Sequence, residues 1–223
     1  MLPQLLTALI ILTNPATPQV LGASSVPTVQ AQVVPSEKVL ATHSMPLNDR
    51  YGNSFVNDVF KDNILLTLKY MSGDVKKGDK IDWTEIEKPT HFEFNLKPNE
   101  RFAFHDIILP EYKDNVVKTT NAHFNFDEGF KSDGYLIGDG VCHFASLIYW
   151  AAKDAGISAV RMANHDFAVI PDVPKEYGVA IYANPSGNAG AYQNLYITNS
   201  LKNTIKFVFD YKDNVLNFSV LEN

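Results

Sequence analysis

The sequence is poor in cysteine, in clustered positive charge and in metal-ligand spacings. Only one of its 223 residues, Cys142, is a cysteine, which excludes an intrachain disulfide framework. The net charge is −6 at pH 7 and the largest basic cluster is Lys76, Lys77 and Lys80, so we expect no nucleic-acid-binding surface. The Cys-x-x-Cys spacing typical of zinc sites is missing, and we expect neither a metal nor another cofactor.

A long hydrophobic run is missing as well. The apolar run at residues 2–12 is too short to span a bilayer and has the length of a signal-peptide core, although no Lys or Arg precedes it. Residues 13–44 are rich in Pro, Ser, Thr, Val and Gln without periodicity, which predicts a flexible tether. We therefore predict a signal-like segment, disordered tail and linker over residues 1–49 and one folded domain over residues 50–223. Such a protein is expected outside the cytoplasm, in the cell envelope or secreted, and an uncleaved N-terminal segment would tether it to the membrane.

The folded part combines helix and strand patterns. Apolar residues at helical intervals after Ser54, the expected N-cap, predict a helix that ends at Gly73. We expect residues 105–134 and 184–190 to be loops. Alternating apolar residues predict strands, of which the last three would form an antiparallel meander: 91–96, 101–104, 158–164, 193–198, 204–211 and 215–220. The predicted fold class is α+β, with a cysteine-bearing helix packed on a mainly antiparallel sheet and a disordered N-terminal tail.

The stretch at residues 138–156 predicts the helix that carries the cysteine. Two glycines and an aspartate precede an apolar run with helical spacing. With Asp139 as the expected cap, Cys142 falls in the first turn, where unpaired amides and the helix dipole favour the thiolate. Ala145 and Ser146 share its face and are small, so another segment could approach the sulfur. Cys142 is therefore the candidate nucleophile, and the alternative is a small buried hydrophobic residue.

A histidine downstream of this helix is the candidate base. Residues 158–164 predict an extended segment, and His165 lies at or just beyond its end. A helix with an N-terminal cysteine, a short turn and a strand with a histidine together bring an imidazole close to the sulfur. Cysteine enzymes of the papain and transglutaminase type have the same order, although only the layout is similar.

Three stretches of the chain resemble the VanW-like proteins, which are bacterial cell-envelope proteins named for a gene in some vancomycin-resistance clusters. Residues 62–73 resemble the family's opening helix, and residues 96–104 resemble its turn and following strand. The most specific part is Gly-Val-Cys-His at residues 140–143, with Ala-Gly-Ile at residues 155–157 and then His165. It resembles the family's Gly-Val-Cys-Gln helix, Ala-Gly-Leu turn and His-Ser pair.

This resemblance covers roughly residues 50–211 and implies work on peptidoglycan. Some VanW-domain proteins are understood to be cysteine-dependent L,D-transpeptidases, which join stem peptides through an acyl-enzyme intermediate. The chain departs from the family pattern at His143, where Gln is usual, at Asp166, where Ser is usual, and in the strand motif at residues 194–199. It therefore resembles a divergent member.

A third group is needed to orient the imidazole of His165 and to fix its tautomer. We expect this group to be Asn194, because it stands where the family's strand motif has Asp and because an amide has this role in papain-like enzymes. Gln193 and Asp166 are the alternatives. Asp166 adjoins the histidine, so in an extended segment its side chain would point to the opposite face.

Three residues are expected around the substrate or the oxyanion: Gly140, His143 and Gln193. His143 follows Cys142 directly, and neighbours on a helix point about 100° apart, so it is an unsuitable base. It would lie at the rim or near the oxyanion, or else be a plain surface residue.

The sequence thus predicts a cell-envelope thiol acyltransferase or hydrolase. It would act on peptidoglycan stem peptides through an acyl-enzyme on Cys142, with His165 as the base. The alternative is a non-catalytic envelope module that binds peptidoglycan or a partner and in which the cysteine is only packed.

Overall fold

The structure, a computed structural model, describes residues 37–184 and 188–223. These residues form two four-stranded sheets and three α-helices, which confirms the predicted α+β class. The prediction of a signal-like segment and of a flexible tether up to residue 36 lies outside the described residues. In chain order the elements are β1 (Lys38–Pro46), α1 (Ser54–Ser72), α2 (Trp83–Ile86), β2 (Thr90–Leu96), β3 (Arg101–Ala103), β4 (Val116–Lys118), α3 (Val141–Asp154), β5 (Ser158–Arg161), β6 (Leu195–Thr198), β7 (Ile205–Lys212) and β8 (Val215–Glu222).

The first sheet has the strand order β1-β8-β7-β2 and is antiparallel throughout. Strands β7 and β8 form a hairpin that turns at Asp213 and Asn214. Both residues have positive φ, which the favoured two-residue hairpin turn requires. Phe207, Phe209 and Phe218 are fully buried, so alternate residues of β7 and β8 face the core. The sequence alternation predicts this hairpin as part of a three-strand meander, and the hairpin is confirmed. The first strand of the predicted meander is corrected, because β6 pairs with β3 and β5 in the second sheet instead of with β7.

The second sheet has the strand order β4-β3-β6-β5, and only the pair of β3 with β4 is parallel. Strand β4 lies within residues 105–134, which were expected to form a loop. Helix α3 contacts β1 and β8 of the first sheet, β5 and β6 of the second, and α1. Its fully buried Phe144 packs edge-on against Phe104 and Phe209. The predicted packing of the cysteine-bearing helix on mainly antiparallel strands is therefore confirmed.

The described structure begins earlier in the chain than the sequence pattern indicates. Strand β1 pairs with β8 over residues that were expected to belong to a disordered tail and linker. Strand β8 pairs with the backbone groups of β1 that face it, and Met45 and Leu47, at and just beyond the end of β1, are buried. Because β1 is an edge strand, most of its other side chains stay partly or fully exposed and show little alternation. The boundary expected near Arg50 therefore moves towards the N-terminus.

The long helix α1 covers its predicted range with a small correction at its start. Its N-cap is Asn53, whose side chain accepts a hydrogen bond from the Phe55 amide at 3.0 Å, while Ser54 is the first helical residue. The helix ends as predicted at Gly73, which has a φ of 89°. None of the helices in the described ranges combines the length and the apolar character needed to span a membrane.

Candidate functional site

Helix α3 begins next to the backbone of α1, and Gly140 makes this approach possible. Gly140 is the N-cap of α3 with a φ of 99°, and a Cβ there would lie 2.6 Å from the carbonyl oxygen of Phe60. Any other residue at this position would be destabilised both by the positive φ and by this close contact. The expected cap, Asp139, has another partner, because its carboxylate accepts a hydrogen bond from the Asp133 amide at 3.0 Å. The cap prediction is therefore corrected, while Cys142 does lie in the first turn.

The buried side chain of Asn63 in α1 holds the loop that leads into α3. Its Nδ2 donates to the carbonyl oxygens of Lys131 at 3.0 Å and Asp139 at 2.9 Å, and its Oδ1 accepts from the Lys131 amide at 2.8 Å. One side chain therefore fixes both ends of the loop over residues 131–139. Asn63 lies in a stretch that resembles the family, but nothing in the sequence indicated this role.

A cavity of about 770 Å³ opens at the start of α3. The structure brings four of the candidate site residues together in its lining: Cys142, Gly140, His143 and His165. The rest of the lining is rich in aromatic and apolar side chains, among them Tyr51, Phe60, Phe124, Tyr135, Leu136, Ile137, Phe167, Val169, Ile181 and Tyr182. A cavity of this size suits a small ligand or a few residues of a peptide.

The sulfur of Cys142 is engaged with the backbone of Ile181. The Ile181 amide donates to Sγ at 3.4 Å, and the thiol lies 3.8 Å from the Ile181 carbonyl oxygen, towards which it donates. Burial among surrounding atoms raises the pKa of the Cys142 thiol to about 11, and the charge of Asp139 adds to this effect. Hydrogen bonds from backbone amides act in the opposite direction but are outweighed. The expected thiolate is therefore corrected to a neutral thiol, although the residue stays partly exposed.

The ring of His165 is held in one tautomer by a backbone carbonyl. Its Nδ1 donates to the carbonyl oxygen of Ala168 at 3.1 Å, so in the neutral ring Nε2 is the atom that can accept a proton. The ring packs against Phe167 with centroids 4.0 Å apart, and burial lowers its pKa. In the described ranges no hydrogen bond joins His165 to Cys142, so the two groups share the cavity without direct contact of that kind.

His143 is buried rather than a plain surface residue, and Arg50 sets its tautomer. Nη1 of Arg50 donates to Nδ1 of His143 at 3.0 Å, which leaves the ring proton on Nε2. The same guanidinium donates to the carbonyl oxygen of Pro171 at 2.6 Å, and its Nε lies 3.7 Å from a carboxylate oxygen of Asp172. Burial holds the pKa of His143 well below its usual range, and the charges of Arg50 and His165 lower it further. No sequence signal indicated that Arg50 takes part.

Asn194 pairs with His105 instead of His165. It is fully buried, its Oδ1 accepts from the His105 amide at 3.2 Å, and its Nδ2 donates to the carbonyl oxygens of His105 and Ile107. The carbonyl oxygen of Gln193 accepts from Nε2 of His105 at 3.1 Å, while the Gln193 residue itself is exposed. Neither Asn194 nor Gln193 lines the cavity.

This arrangement corrects the expected partner of His165. Asn194 directly precedes β6, and β6 pairs with β3. The side-chain amide of Asn194 therefore contacts the residues that follow β3. The group that orients His165 is the backbone carbonyl of Ala168. Asp166, an alternative in the sequence, is exposed and affects the ring only through its charge.

The fold and the cavity define a mixed α+β domain with a candidate cysteine–histidine site at the start of a helix. Residues 92–221, more than half of the chain, match the family model described as VanW like protein, and the chain belongs to this family. Membership connects it with vancomycin resistance and with the cell envelope. No curated protein and no solved structure matches the chain. The family match begins after α1, so Arg50 and Asn63 lie outside it.

Proposed function

We propose that this protein is a cell-envelope thiol acyltransferase or hydrolase that acts on peptidoglycan stem peptides. Family membership supports the cell-wall context. The observation that carries the chemical proposal is the shared cavity, in which Cys142 supplies a nucleophile and His165 supplies an imidazole whose Nε2 is free to accept a proton.

The protonation states determine how the first step proceeds. With a thiol pKa of about 11, only about one molecule in 10,000 carries a thiolate at pH 7. Proton removal therefore accompanies attack and does not precede it. Sγ of Cys142 bonds to the peptide carbonyl carbon, the thiol proton passes to Nε2 of His165, and the carbonyl electron pair moves to the oxygen. Since the sulfur and the imidazole share no hydrogen bond in the free protein, substrate binding has to bring them together.

The acyl-enzyme forms when this tetrahedral intermediate collapses. The carbon–nitrogen bond breaks, and the imidazolium of His165 returns its proton to the leaving amine. An amine or a water molecule then attacks the thioester, with His165 accepting its proton, and Cys142 leaves and regains that proton. Attack by an amine gives transfer, and attack by water gives hydrolysis.

Two kinds of donor are available for the oxyanion. Backbone amides in the first turn of α3, at Cys142 and His143, lack carbonyl partners within the helix. The Nε2–H of His143 is a third donor, because Arg50 keeps the proton on that nitrogen. Gly140 allows this first turn to approach α1 closely.

Trapping the intermediate tests this proposal. We expect the native protein, incubated with tetrapeptide muropeptides, to gain the mass of the acyl group on Cys142 and to change the pattern of cross-linked or released products. Cys142→Ala and His165→Ala should both abolish these changes. His91→Ala, at an exposed histidine of β2, is the matched control and should behave as the native protein does. A folded native protein without adduct or product change would contradict the proposal.

A non-catalytic module that binds peptidoglycan is the second candidate. The contacts of Cys142 with Ile181 and the raised pKa of the thiol favour it, since a structural cysteine behaves in this way. In that case Cys142→Ala would lower stability and leave binding of wall fragments unchanged, and no adduct would form.

A further inference from the structure

Large apolar side chains are exposed around the cavity. We call five of them the cavity rim: Tyr135, Leu136, Phe167, Val169 and Tyr182. Tyr135 is 91% exposed and Val169 is 82% exposed. Single exposed apolar residues are ordinary on protein surfaces, but a group of them around one cavity marks a surface that a ligand or partner covers.

Carboxylates line the cavity, and neither of them has a lysine or arginine partner there. Its lining contains two half-buried carboxylates, Asp133 and Asp139, and no lysine or arginine. Neither carboxylate forms an ion pair within the described ranges. The nearby cations have other partners, since Arg50 donates to His143 and Pro171 and Lys131 pairs with Asp62.

The uncompensated charge affects its neighbours. Burial, the charge of Asp133 and a hydrogen bond between the two carboxyl groups raise the pKa of Asp139 to about 6, and both groups help to raise the pKa of Tyr51. The charge of Asp139 also contributes to the raised pKa of the Cys142 thiol. A cation bound between the carboxylates would act against each of these shifts.

We propose that the cavity and its rim bind an extended peptide segment with a side chain that ends in a protonated amine. The amine lies between Asp133 and Asp139, and the apolar parts of the peptide lie on the rim. The choice of a peptide rests on the proposed function, because the surface adjoins the candidate nucleophile, but binding itself needs no reactive thiol. Charge complementarity selects this occupant: the carboxylates repel anionic nucleic acids and acidic membranes, and a neutral apolar partner would bury their charge without a cation.

Binding of two peptides that differ in one charge tests this inference. The probes are Nα-acetyl-Lys-D-Ala-D-Ala, which carries a free amine, and its Nα,Nε-diacetyl counterpart, which does not. Isothermal titration of the full chain carrying Cys142→Ala keeps chemistry out of the measurement. We expect the free-amine peptide to bind about tenfold more tightly, the value of one charge-assisted hydrogen bond.

Matched variants separate the charge from the rim. In the Cys142→Ala background, Asp133→Asn together with Asp139→Asn should reduce the difference between the peptides to about twofold or less, because the amides keep the shape and lose the charge. Asp127→Asn, at an exposed residue outside the lining, should leave the tenfold difference unchanged. Phe167→Ser should weaken the binding of both peptides by the same factor.

The outcomes distinguish this inference from the proposed function. Equal affinities for the two peptides, or no binding of either at millimolar concentration, would overturn the inference. So would concentration-dependent dimerisation that buries the rim and that Phe167→Ser abolishes. If the peptides are discriminated as expected while the native protein forms no acyl adduct, the inference stands and only the catalytic proposal fails. The comparison of the two peptides also remains decisive if the aspartate variants do not fold.

Discussion

Two regions of this protein bury histidines, and they differ in how completely the protein satisfies the imidazole. In the His105 cluster, formed by His105, Gln193 and Asn194, both ring nitrogens have partners: Nε2 donates to Gln193 and Nδ1 accepts from the amide of Ile107. The cavity lining contains two buried histidines, His143 and His165, which we call the cavity histidines; they have only Nδ1 engaged, and in the described ranges neither Nε2 has a hydrogen bond. The half-buried His123 at the same cavity has both ring nitrogens engaged, by Glu128 and Asp106.

This difference separates a structural role from a candidate functional one. A buried polar group is normally satisfied, and complete satisfaction makes a cluster rigid. The His105 cluster fits that description and lies outside the cavity lining. The cavity histidines instead present unengaged nitrogens to a space that a ligand can enter. The contrast therefore predicts opposite results for the same substitution in the two regions.

The largest effect is expected when each region loses its imidazole. His165→Ala should lower the rate of Cys142 acylation by a factor of about 10² to 10⁴, as loss of a general base does, and should lower the free energy of unfolding by only about 1 kcal/mol, because the ring donates one hydrogen bond, to Ala168. His105→Ala should instead lower that free energy by about 2 to 3 kcal/mol and leave the rate per folded molecule unchanged. Mass spectrometry of the adduct and urea unfolding measure the two quantities. Equal effects of the two variants on the acylation rate would contradict the distinction between a structural and a functional histidine region.

The reactivity of the free thiol gives the next largest effect. Because the pKa of Cys142 is raised to about 11, iodoacetamide should alkylate it at pH 7 about 300 times more slowly than it alkylates a free cysteine with a pKa near 8.5. The rate should rise about tenfold per pH unit up to roughly pH 11, because the thiolate fraction does so. A plateau below pH 8 would show instead that the first-turn position or an imidazolium dominates.

The His105 cluster should also depend strongly on its amide. Asn194→Ala leaves the His105 amide and two carbonyl oxygens without their partner, and we expect a loss of about 3 to 5 kcal/mol in the free energy of unfolding. The alkylation rate of Cys142 in the folded protein should not change. Asn95→Ala, at an exposed asparagine of β2, is the control and should cost less than about 0.5 kcal/mol. A slower acylation at unchanged stability would place Asn194 in the candidate site after all.

Local patterns predict much of this fold but only part of the site. Helix α1 and the β7–β8 hairpin are predictable because apolar residues recur with the helical or strand period. The helix–turn–strand order predicts that Cys142 and His165 lie near each other; both line one cavity, and their roles stay a prediction. Strand β1 is not predictable in this way, because an edge strand gains its stability from backbone pairing and shows little alternation.

The remaining features depend on contacts between distant parts of the chain. Arg50 meets His143 across 93 residues, and no local pattern indicates such a pair. The first-turn position of Cys142 favours a thiolate, but the packing around it outweighs the helix dipole. Asn194 stands at the expected strand, yet strand order directs its amide to His105.

Acid should destabilise the His105 cluster in a defined range. Burial lowers the pKa of His105 to about 4 from its ordinary value of 6.5, so the unfolded chain takes up the proton first. The contribution of the neutral, buried His105 to the free energy of unfolding is fully present above pH 6.5. It is lost as the pH falls towards 4, by roughly 3 kcal/mol in total. Urea unfolding between pH 4 and 7 measures the slope. His105→Gln should reduce the total loss of stability over this pH range by this amount, and an unchanged loss would contradict the assignment.

The smallest effect is expected at Arg50, which acts on the candidate site through His143. Arg50→Met removes the donor to Nδ1 of His143, so the proton on Nε2 is no longer fixed and the pKa of His143 rises, since the Arg50 charge lowers it in the native protein. We expect acylation of Cys142 to slow by about tenfold, the value of one charge-assisted hydrogen bond. The ring ¹⁵N shifts of His143 should move from the Nε2–H pattern towards a tautomer mixture, which loss of packing alone would not cause. Arg50→Lys keeps a cationic donor and should retain most of the Nε2–H tautomer and of the rate. If Arg50→Met leaves the tautomer unchanged, Arg50 serves only to hold the loop at Pro171, and His143 then belongs with the His105 cluster on the structural side of the comparison.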